Sequence, residues 1–491
     1  MCPPQIDDAL TGLAPKAADA QSDRGLRHLR TNSVMSAGTE TQTLAENPAR
    51  SRGDMAEVAT LAYPVVLTTM VETAMQVIDT AMLGHVGTTQ LAAAGFAGLW
   101  IWTLFVPFTG TAQGVQAFVS RHDGAGEPER CGAWIWPAVV FLVPAMALWM
   151  VAVAVLFPLL VHAIGPSPEL QDAAIRYGFA RLPGGPAVVL SFALSSFFRG
   201  IGDTRTPLYV TSAAMAIHVA LAYGLIFGQF GLPALGIVGA GIAQSTGSWM
   251  FAGMILFAAL RRNVRTRYCT RPLLPRWSDF TRFLRTSAPT GGTWLLDMTT
   301  FAIFGSIIAR MGDASMAASQ AMLQLLSLSF MQAFAISIAC GTLVGRYIGA
   351  NDLEGAERSY RSSLTLGMGL AAFIALLFLS VPDALLGVFS RDPEFLAIGR
   401  PLLALGAFFQ VVDAVGIIAS GALRGAGDTR WPFVVQSSLS WTLRLSAVVT
   451  FAVWLRGGVF GAWVGELCYV LALGVAWILR FRAGHWRNVR I

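Results

Sequence analysis

Six acidic or arginine side chains stand out inside long apolar stretches of this chain, where a charge is costly. On insertion scales, a charged side chain at the centre of a bilayer costs at least about 2.5 to 3.5 kcal/mol. Residues that bear this cost commonly bind a cation, exchange a proton or neutralise another buried charge. The six residues are Glu72, Asp79, Asp297, Asp413, Arg444 and Glu466.

Glu72 and Asp79 are seven positions apart, so on a helix they lie on the same face. Gln76 lies between them on that face. A polar stripe on an otherwise apolar helix predicts a cavity-facing surface, where the carboxylates could bind protons or cations. The alternative for Asp79 is an ordinary polar residue at the outer end of its helix.

Arg444 lies mid-way along a later apolar stretch. We favour a structural interpretation of this residue, as a buried counter-ion for Asp413 or Glu466. A place in the cavity is the alternative.

The composition indicates a membrane protein. Of 491 residues, 55% are hydrophobic and 13% charged, whereas soluble domains carry about 25% charged residues. The basic residues lie in short segments between apolar runs, so we expect no nucleic-acid partner despite a pI near 9.3.

A membrane span needs about 20 apolar residues, and the apolar runs predict an all-α fold of about twelve transmembrane helices. Their predicted limits are 56–82, 91–119, 133–161, 172–197, 206–228, 236–260, 281–310, 315–344, 360–382, 396–422, 431–454 and 459–480.

The chain repeats itself at one offset of 225 residues. The segment Arg199–Pro207 recurs as Arg424–Pro432, and Pro64 recurs as Pro289. Six helices per repeat is an even number, so the two halves share one orientation. We therefore predict two homologous six-helix lobes, a linker and a tail. The predicted boundaries are 55–260 for the first lobe, 261–280 for an Arg-rich linker, 281–482 for the second lobe and 483–491 for the tail.

Residues 1–54 have a different composition, with many Pro, Ser, Thr, Ala and charged residues, and disorder is expected. They contain no secretory signal pattern. An organelle transit peptide is one alternative, which the acidic residues disfavour. We prefer a misassigned start, with Met35 or Met55 as the true first residue.

The Arg-bearing segments all fall on one side of the twelve-helix arrangement. By the positive-inside rule that side is cytoplasmic, together with the linker and both termini. The segments lie at 121–130, 199–205, 261–285, 346–361, 424–430 and after 480.

The repeated segments Gly200–Asp203 and Gly425–Asp428 match the GxGD pattern of intramembrane aspartyl proteases. Flanking arginines place both motifs at the water boundary, so we interpret each as a tight turn whose Asp and Thr cap the next helix. The sequence also lacks HExxH, GxSxG and P-loop motifs. We expect no enzymatic activity and no cofactor.

Several stretches resemble the MATE (multidrug and toxic compound extrusion) family. They are Val77–Gly84, Ser327–Met331, Val344–Ala350 and the paired RGxGDTR loops. The likeness spans about 56 to 480, and the first-helix type resembles the DinF-like or NorM-like bacterial branches. It implies two lobes around a central cavity that opens alternately to the two sides. It also implies a monomer in the bacterial inner membrane that exports organic cations or amphipathic compounds in exchange for protons or sodium ions.

The resemblance also implies roles for individual residues. Asp79 matches the acid of the family's first helix, which is associated with ion coupling, and Pro64 matches its bending proline. Asp297 and Asp413 match the acidic positions of the sodium-coupled branch, which implies a sodium site there.

Three departures from the family pattern favour protons over sodium. Residue 297 is Asp rather than Glu, Phe409 lacks a ligand hydroxyl, and His218 and Ala222 replace the usual fifth-helix Asn and Asp. His218 could carry the proton instead, because its unperturbed pKa is near neutral. A purely structural histidine is the alternative.

The hypothesis is therefore antiport: protonation of Asp79 releases a cationic substrate and lets the first helix bend at Pro64. A lipid-linked oligosaccharide flippase of the same broad superfamily is one rival, but it would need an Arg-rich cavity. Arg444 is the one arginine well inside a predicted span. A channel or scaffold is the other rival, and two unequal halves supply no pore ring.

Overall fold

The computed structural model describes residues 53–164, 167–390 and 392–489, and this part of the chain contains helices and no β-strand. Ten of its helices are long and apolar enough to cross a membrane. The first 52 residues of the tail predicted for 1–54 lie outside the described residues.

Twelve long helical rods follow one another in this part of the chain, and we label them α1 to α12. Four of them, α2, α3, α4 and α11, are built from consecutive shorter segments. The rods are α1 Met55–Val86, α2 Thr88–Gly124, α3 Pro128–Ile164, α4 Pro168–Arg181 continued by Gly185–Gly200, α5 Arg205–Phe227, α6 Ile237–Leu260, α7 Trp277–Ala309, α8 Asp313–Gly349, α9 Leu353–Ser380, α10 Pro393–Gly425, α11 from 430 to 454, and α12 Gly458–Arg482.

Local capping explains where α1 and α7 begin. The Asp54 carboxylate accepts the Glu57 N–H at 2.9 Å, which satisfies a donor that the first helical turn leaves free. In α7 the Asp279 carboxylate accepts the Arg276 N–H. Because of this cap, α7 begins at Trp277, inside the segment predicted as a linker for 261–280, rather than at the predicted start of 281.

The segment after α12 was predicted as a tail over 483–491, yet part of it is packed. His485–Asn488 forms a 3₁₀ turn. The Trp486 ring is fully buried and stacks on Phe481 with ring centroids 4.9 Å apart. The cost of exposing an indole favours this docking.

The helix α11 is less regular than the predicted span 431–454. It contains π-helical turns at Ser440–Arg444 and Thr450–Trp454. A π-turn inserts one extra residue into a helix and is frequent at functional sites. The first of these turns carries Arg444.

The two halves of the chain meet where α2 and α8 end. Gln116 of α2 donates from Nε2 to the Ile338 carbonyl and to Thr342 Oγ1, both at 2.9 Å. Close by, Asp123 and Arg346 form an ion pair at 3.0 Å. Gly124 lies directly against the Arg346 backbone, so this contact has no room for a Cβ.

The two RGxGDTR loops are tight turns, in which Gly202 and Gly427 have φ of +79° and +81°. Asp203 caps α5 as predicted, because its carboxylate accepts the Thr206 N–H at 3.0 Å, whereas the Thr204 side chain forms no capping hydrogen bond. The second copy differs from the prediction. Asp428 pairs with Arg480 at 2.8 Å, and α11 begins without a side-chain cap.

Candidate functional site

Asp79, His218 and Gln244 form a polar cluster between α1, α5 and α6, which we call the amino-terminal cluster. His218 Nε2 lies 3.0 and 3.1 Å from the two Asp79 carboxylate oxygens. Gln244 donates from Nε2 to Asp79 Oδ2 at 2.5 Å. The His218 side chain is 4% exposed and that of Asp79 is 15% exposed. The carboxylate is therefore the accessible member of a buried pair.

The second nitrogen of His218 also faces an oxygen. Its Nδ1 lies 3.2 Å from the Ala243 carbonyl. A neutral imidazole has one N–H, whereas here both ring nitrogens face acceptors. Both contacts are hydrogen bonds only if the Asp79–His218 pair holds one proton more than a carboxylate plus a neutral imidazole.

Gly247 makes room for the imidazole. A Cβ at position 247 would lie 2.8 Å from His218 Nδ1. The glycine on α6 therefore lets the ring pack between α5 and α6 and reach Asp79.

A second polar cluster, the carboxy-terminal cluster, joins α7, α11 and α12. Arg444 Nη1 donates to Asp297 Oδ1 at 3.0 Å and to Thr300 Oγ1 at 2.7 Å. Its Nη2 donates to Glu466 Oε1 at 2.9 Å. Tyr469 donates its hydroxyl to Asp297 Oδ1 at 3.0 Å, and the Arg444 guanidinium lies 4.0 Å from the Tyr469 ring centroid. Arg444 is therefore the shared counter-ion of two carboxylates.

The two clusters have a common plan. Each combines an acid on the first helix of its half, a basic side chain on the fifth helix and a neutral hydrogen-bond donor on the sixth. The donors, Gln244 and Tyr469, occupy positions one repeat apart. The basic groups differ in chemistry, because a histidine can gain or lose a proton whereas an arginine stays charged.

Comparison with known proteins identifies the family. The MatE family model matches residues 64–224 and 289–450, one match in each half. The chain belongs to the MatE family. The chain is 30% identical over 446 residues to a "Probable multidrug resistance protein NorM" of Rhizobium meliloti, covering 88% of this chain and 92% of the relative. It is 28% identical over 435 residues to the protein of the same name from Thermotoga maritima, covering 88% of this chain and 93% of that relative.

Solved structures of MATE transporters have the same fold. The eukaryotic transporter AtDTX14 aligns with a TM-score of 0.78 at 17% identity, over 88% of this chain and 96% of its own. A MOP superfamily transporter from Pyrococcus furiosus aligns with a TM-score of 0.81 at 16% identity, over 90% of this chain and all of its own. The prediction of an all-α membrane protein with about twelve helices in two lobes is thereby confirmed.

The polar residues that the sequence analysis grouped on one face of α1 do not all lie together in the structure. Glu72 and Gln76 are both exposed, whereas Asp79 is partly buried against His218. The Arg199 guanidinium, near the end of α4, lies within electrostatic reach of the Glu72 carboxylate. Pro64 lies inside the continuous helix α1. The predicted polar stripe therefore divides into an exposed part and the acid of the amino-terminal cluster.

Asp413 and Phe409 stay apart from the hydrogen-bonded groups of the carboxy-terminal cluster. Phe409 is 8% exposed and packs edge-on against Trp463, so it belongs to the apolar core. Asp413 lies within electrostatic reach of Glu466 and Asp297, but it forms no hydrogen bond or ion pair with another described residue. In the part of the chain that the structure describes, no group of three or more His, Cys, Asp or Glu side chains could hold a metal ion.

Gln244 and Tyr469 belong to the two clusters but were not predicted as site residues from the sequence. Both are uncharged, so the cost of burying a charge, which marks the other site residues, does not mark these two. The signal that could have found them is the repeat, because a hydrogen-bonding side chain stands at both positions, one repeat offset apart.

Proposed function

We propose that this MatE-family transporter is a proton-coupled antiporter that exports organic cations or amphipathic small molecules. We place it in the bacterial inner membrane as a monomer, with both termini in the cytoplasm. The observation that carries the proposal is the Asp79–His218 pair, in which a carboxylate and an imidazole, two groups that can each bind a proton, lie 3.0 Å apart. The multidrug resistance names of its NorM relatives support the substrate class.

The pair provides a simple means of coupling. Without the extra proton, the partly exposed Asp79 carboxylate keeps its negative charge available to attract a cationic substrate. A proton taken up from outside forms the imidazolium–carboxylate pair or the neutral acid, and either form cancels that attraction. Antiport then needs only that proton and substrate favour different conformations.

Pro64 supplies a place where α1 could bend between these conformations. Proline has no N–H, so the helix lacks one main-chain hydrogen bond on the preceding turn. Bending at Pro64 would move Asp79, later in the same helix, relative to His218 on α5.

Efflux from proteoliposomes with independently set pH and sodium gradients tests the proposal. The purified protein is reconstituted, and release of a fluorescent organic cation is followed. We expect a pH gradient at equal sodium to drive transport, and a sodium gradient at equal pH to have no effect. Transport driven by sodium alone would contradict proton coupling, and a protein that moves no organic cation under either gradient would contradict the substrate class.

A further inference from the structure

We infer that the guanidinium of Arg444 occupies the cation position of the carboxy-terminal cluster, so that this cluster binds no alkali metal ion. The inference concerns ion binding in the second half of the chain and does not depend on the proposed function. The family resemblance implied a sodium site at Asp297 and Asp413, and the inference is that this site binds no sodium in the wild type.

The oxygens around Arg444 Nη1 are those that a hard cation prefers. Nη1 lies 2.7 Å from Thr300 Oγ1, 3.0 Å from Asp297 Oδ1 and 3.3 Å from the Asp297 carbonyl. A hydroxyl, a carboxylate and a main-chain carbonyl thus converge from a single turn of α7. In this protein a nitrogen donor occupies the point where they meet.

Arg444 is held from its other side as well. Its Nη2 binds Glu466, and its guanidinium faces the Tyr469 ring. The Arg444 side chain is 5% exposed and that of Glu466 is 3% exposed. An arginine cannot lose its charge in a protein, so a sodium ion would have to displace a permanently charged group or stand beside it. Both are unfavourable in a buried site.

Removal of the Arg444 guanidinium should allow the carboxy-terminal cluster to bind a sodium ion. Glu466 would then be buried without its counter-ion, which is strongly unfavourable, and Asp297, whose side chain is 29% exposed, would lose the same partner. Asp413 adds a third carboxylate within electrostatic reach. The same oxygens would be free to bind an external cation, so the variant should acquire the sodium site that the wild type lacks.

Thermal unfolding of the purified full chain in detergent tests the inference, with NaCl compared against choline chloride at equal ionic strength. We expect no sodium-specific change in the Tm of the wild type. Arg444→Gln should show a saturable sodium-dependent increase in Tm of about 2 °C or more. Arg444→Lys is the matched control: it keeps the positive charge and should show no sodium effect.

The outcome that would overturn the inference is a sodium-dependent Tm increase in the wild type that Asp297→Asn abolishes. A folded Arg444→Gln protein with no sodium effect would overturn it too. If Arg444→Gln folds only when sodium is present, the inference is supported. If it folds in neither salt, the wild type and Asp297→Asn decide, and the absence of a sodium effect in the wild type supports the inference.

Discussion

His218 Nε2 lies 3.0 Å from Asp79 Oδ1, although 139 residues separate the two side chains in the sequence. The contact joins α5 to α1 inside the first half of the chain, and Gln244 of α6 completes it. In the second half, Arg444 and Asp297 form the corresponding contact at 3.0 Å. One half thus pairs its acid with a titratable base, and the other with a base of fixed charge.

Asp79→Asn should abolish coupled export while the protein still folds and inserts. Asparagine preserves the shape of the side chain and can still accept from His218, but it cannot exchange a proton. We expect release driven by a pH gradient to fall to the level of protein-free vesicles, with expression and Tm close to those of the wild type. The measurement is proton-gradient-driven release of a fluorescent organic cation.

Asp383→Asn is a matched control for this substitution, because Asp383 forms an exposed ion pair with Arg400 and should leave export unchanged. Export by Asp79→Asn at the wild-type rate would mean that Asp79 is not the coupling residue. The assignment would then move to the acids of the second half, Asp297 and Asp413.

His218→Asn should slow export driven by a pH gradient by about tenfold or more. A hydrogen bond to a charged group is worth about 1.5 to 3 kcal/mol, and about 1.4 kcal/mol corresponds to a factor of ten. The substitution removes the ring that we propose shares a proton with Asp79, so the pH profile of the export rate should also change. Rates are measured in proteoliposomes over a range of external pH.

His162→Asn provides the comparison, because His162 is exposed and, within the described residues, its ring hydrogen-bonds to the Pro158 carbonyl of its own helix. It should export at the wild-type rate. An unchanged rate and pH profile in His218→Asn would show that His218 is a structural residue, as the alternative interpretation of the sequence holds.

Single-cysteine labelling tests the orientation. Thr204 and Thr429, in the two RGxGDTR loops, are buried, so the adjacent exposed residues Arg205 and Arg430 are better positions. In a background without the native cysteines, Arg205→Cys and Arg430→Cys should react with an impermeant thiol reagent only after the cells are permeabilised. Ala234→Cys, in the loop between α5 and α6, should react in intact cells. The reverse pattern would invert the proposed topology.

Gly124→Ala should weaken the contact between the ends of α2 and α8. A Cβ at position 124 would collide with the Arg346 backbone, and overpacking of this kind typically costs about 1 to 3 kcal/mol. We expect a lower Tm and slower export. Gly305→Ala is the control, because a Cβ there meets no atom within 4 Å and alanine favours the helix. If both variants unfold at the wild-type Tm, the α2–α8 contact contributes little to stability.

The sequence alone was sufficient to predict the twelve-helix, two-lobe membrane fold. Long apolar runs, the arginines between them and one constant repeat offset are all local or periodic features. They follow from the thickness of the bilayer and from the cost of exposing main-chain polar groups to lipid. Helix ends were predicted less well, because α7 begins with a cap at Arg276 and Asp279 that hydropathy does not detect.

Only the tertiary structure decided which polar side chains meet. Helix periodicity places Asp79, Glu72 and Gln76 on one face of α1. In the structure, Asp79 contacts His218 and Gln244, whereas Glu72 and Gln76 remain exposed.

In the second half, Asp297 likewise contacts Arg444 and Tyr469 rather than Asp413. Each contact depends on the rotation and depth at which two helices pack, and on small residues such as Gly247 that let them approach. A hydrogen bond forms only within a few tenths of an ångström of its ideal length, and helix periodicity does not fix the relative placement of two helices so closely.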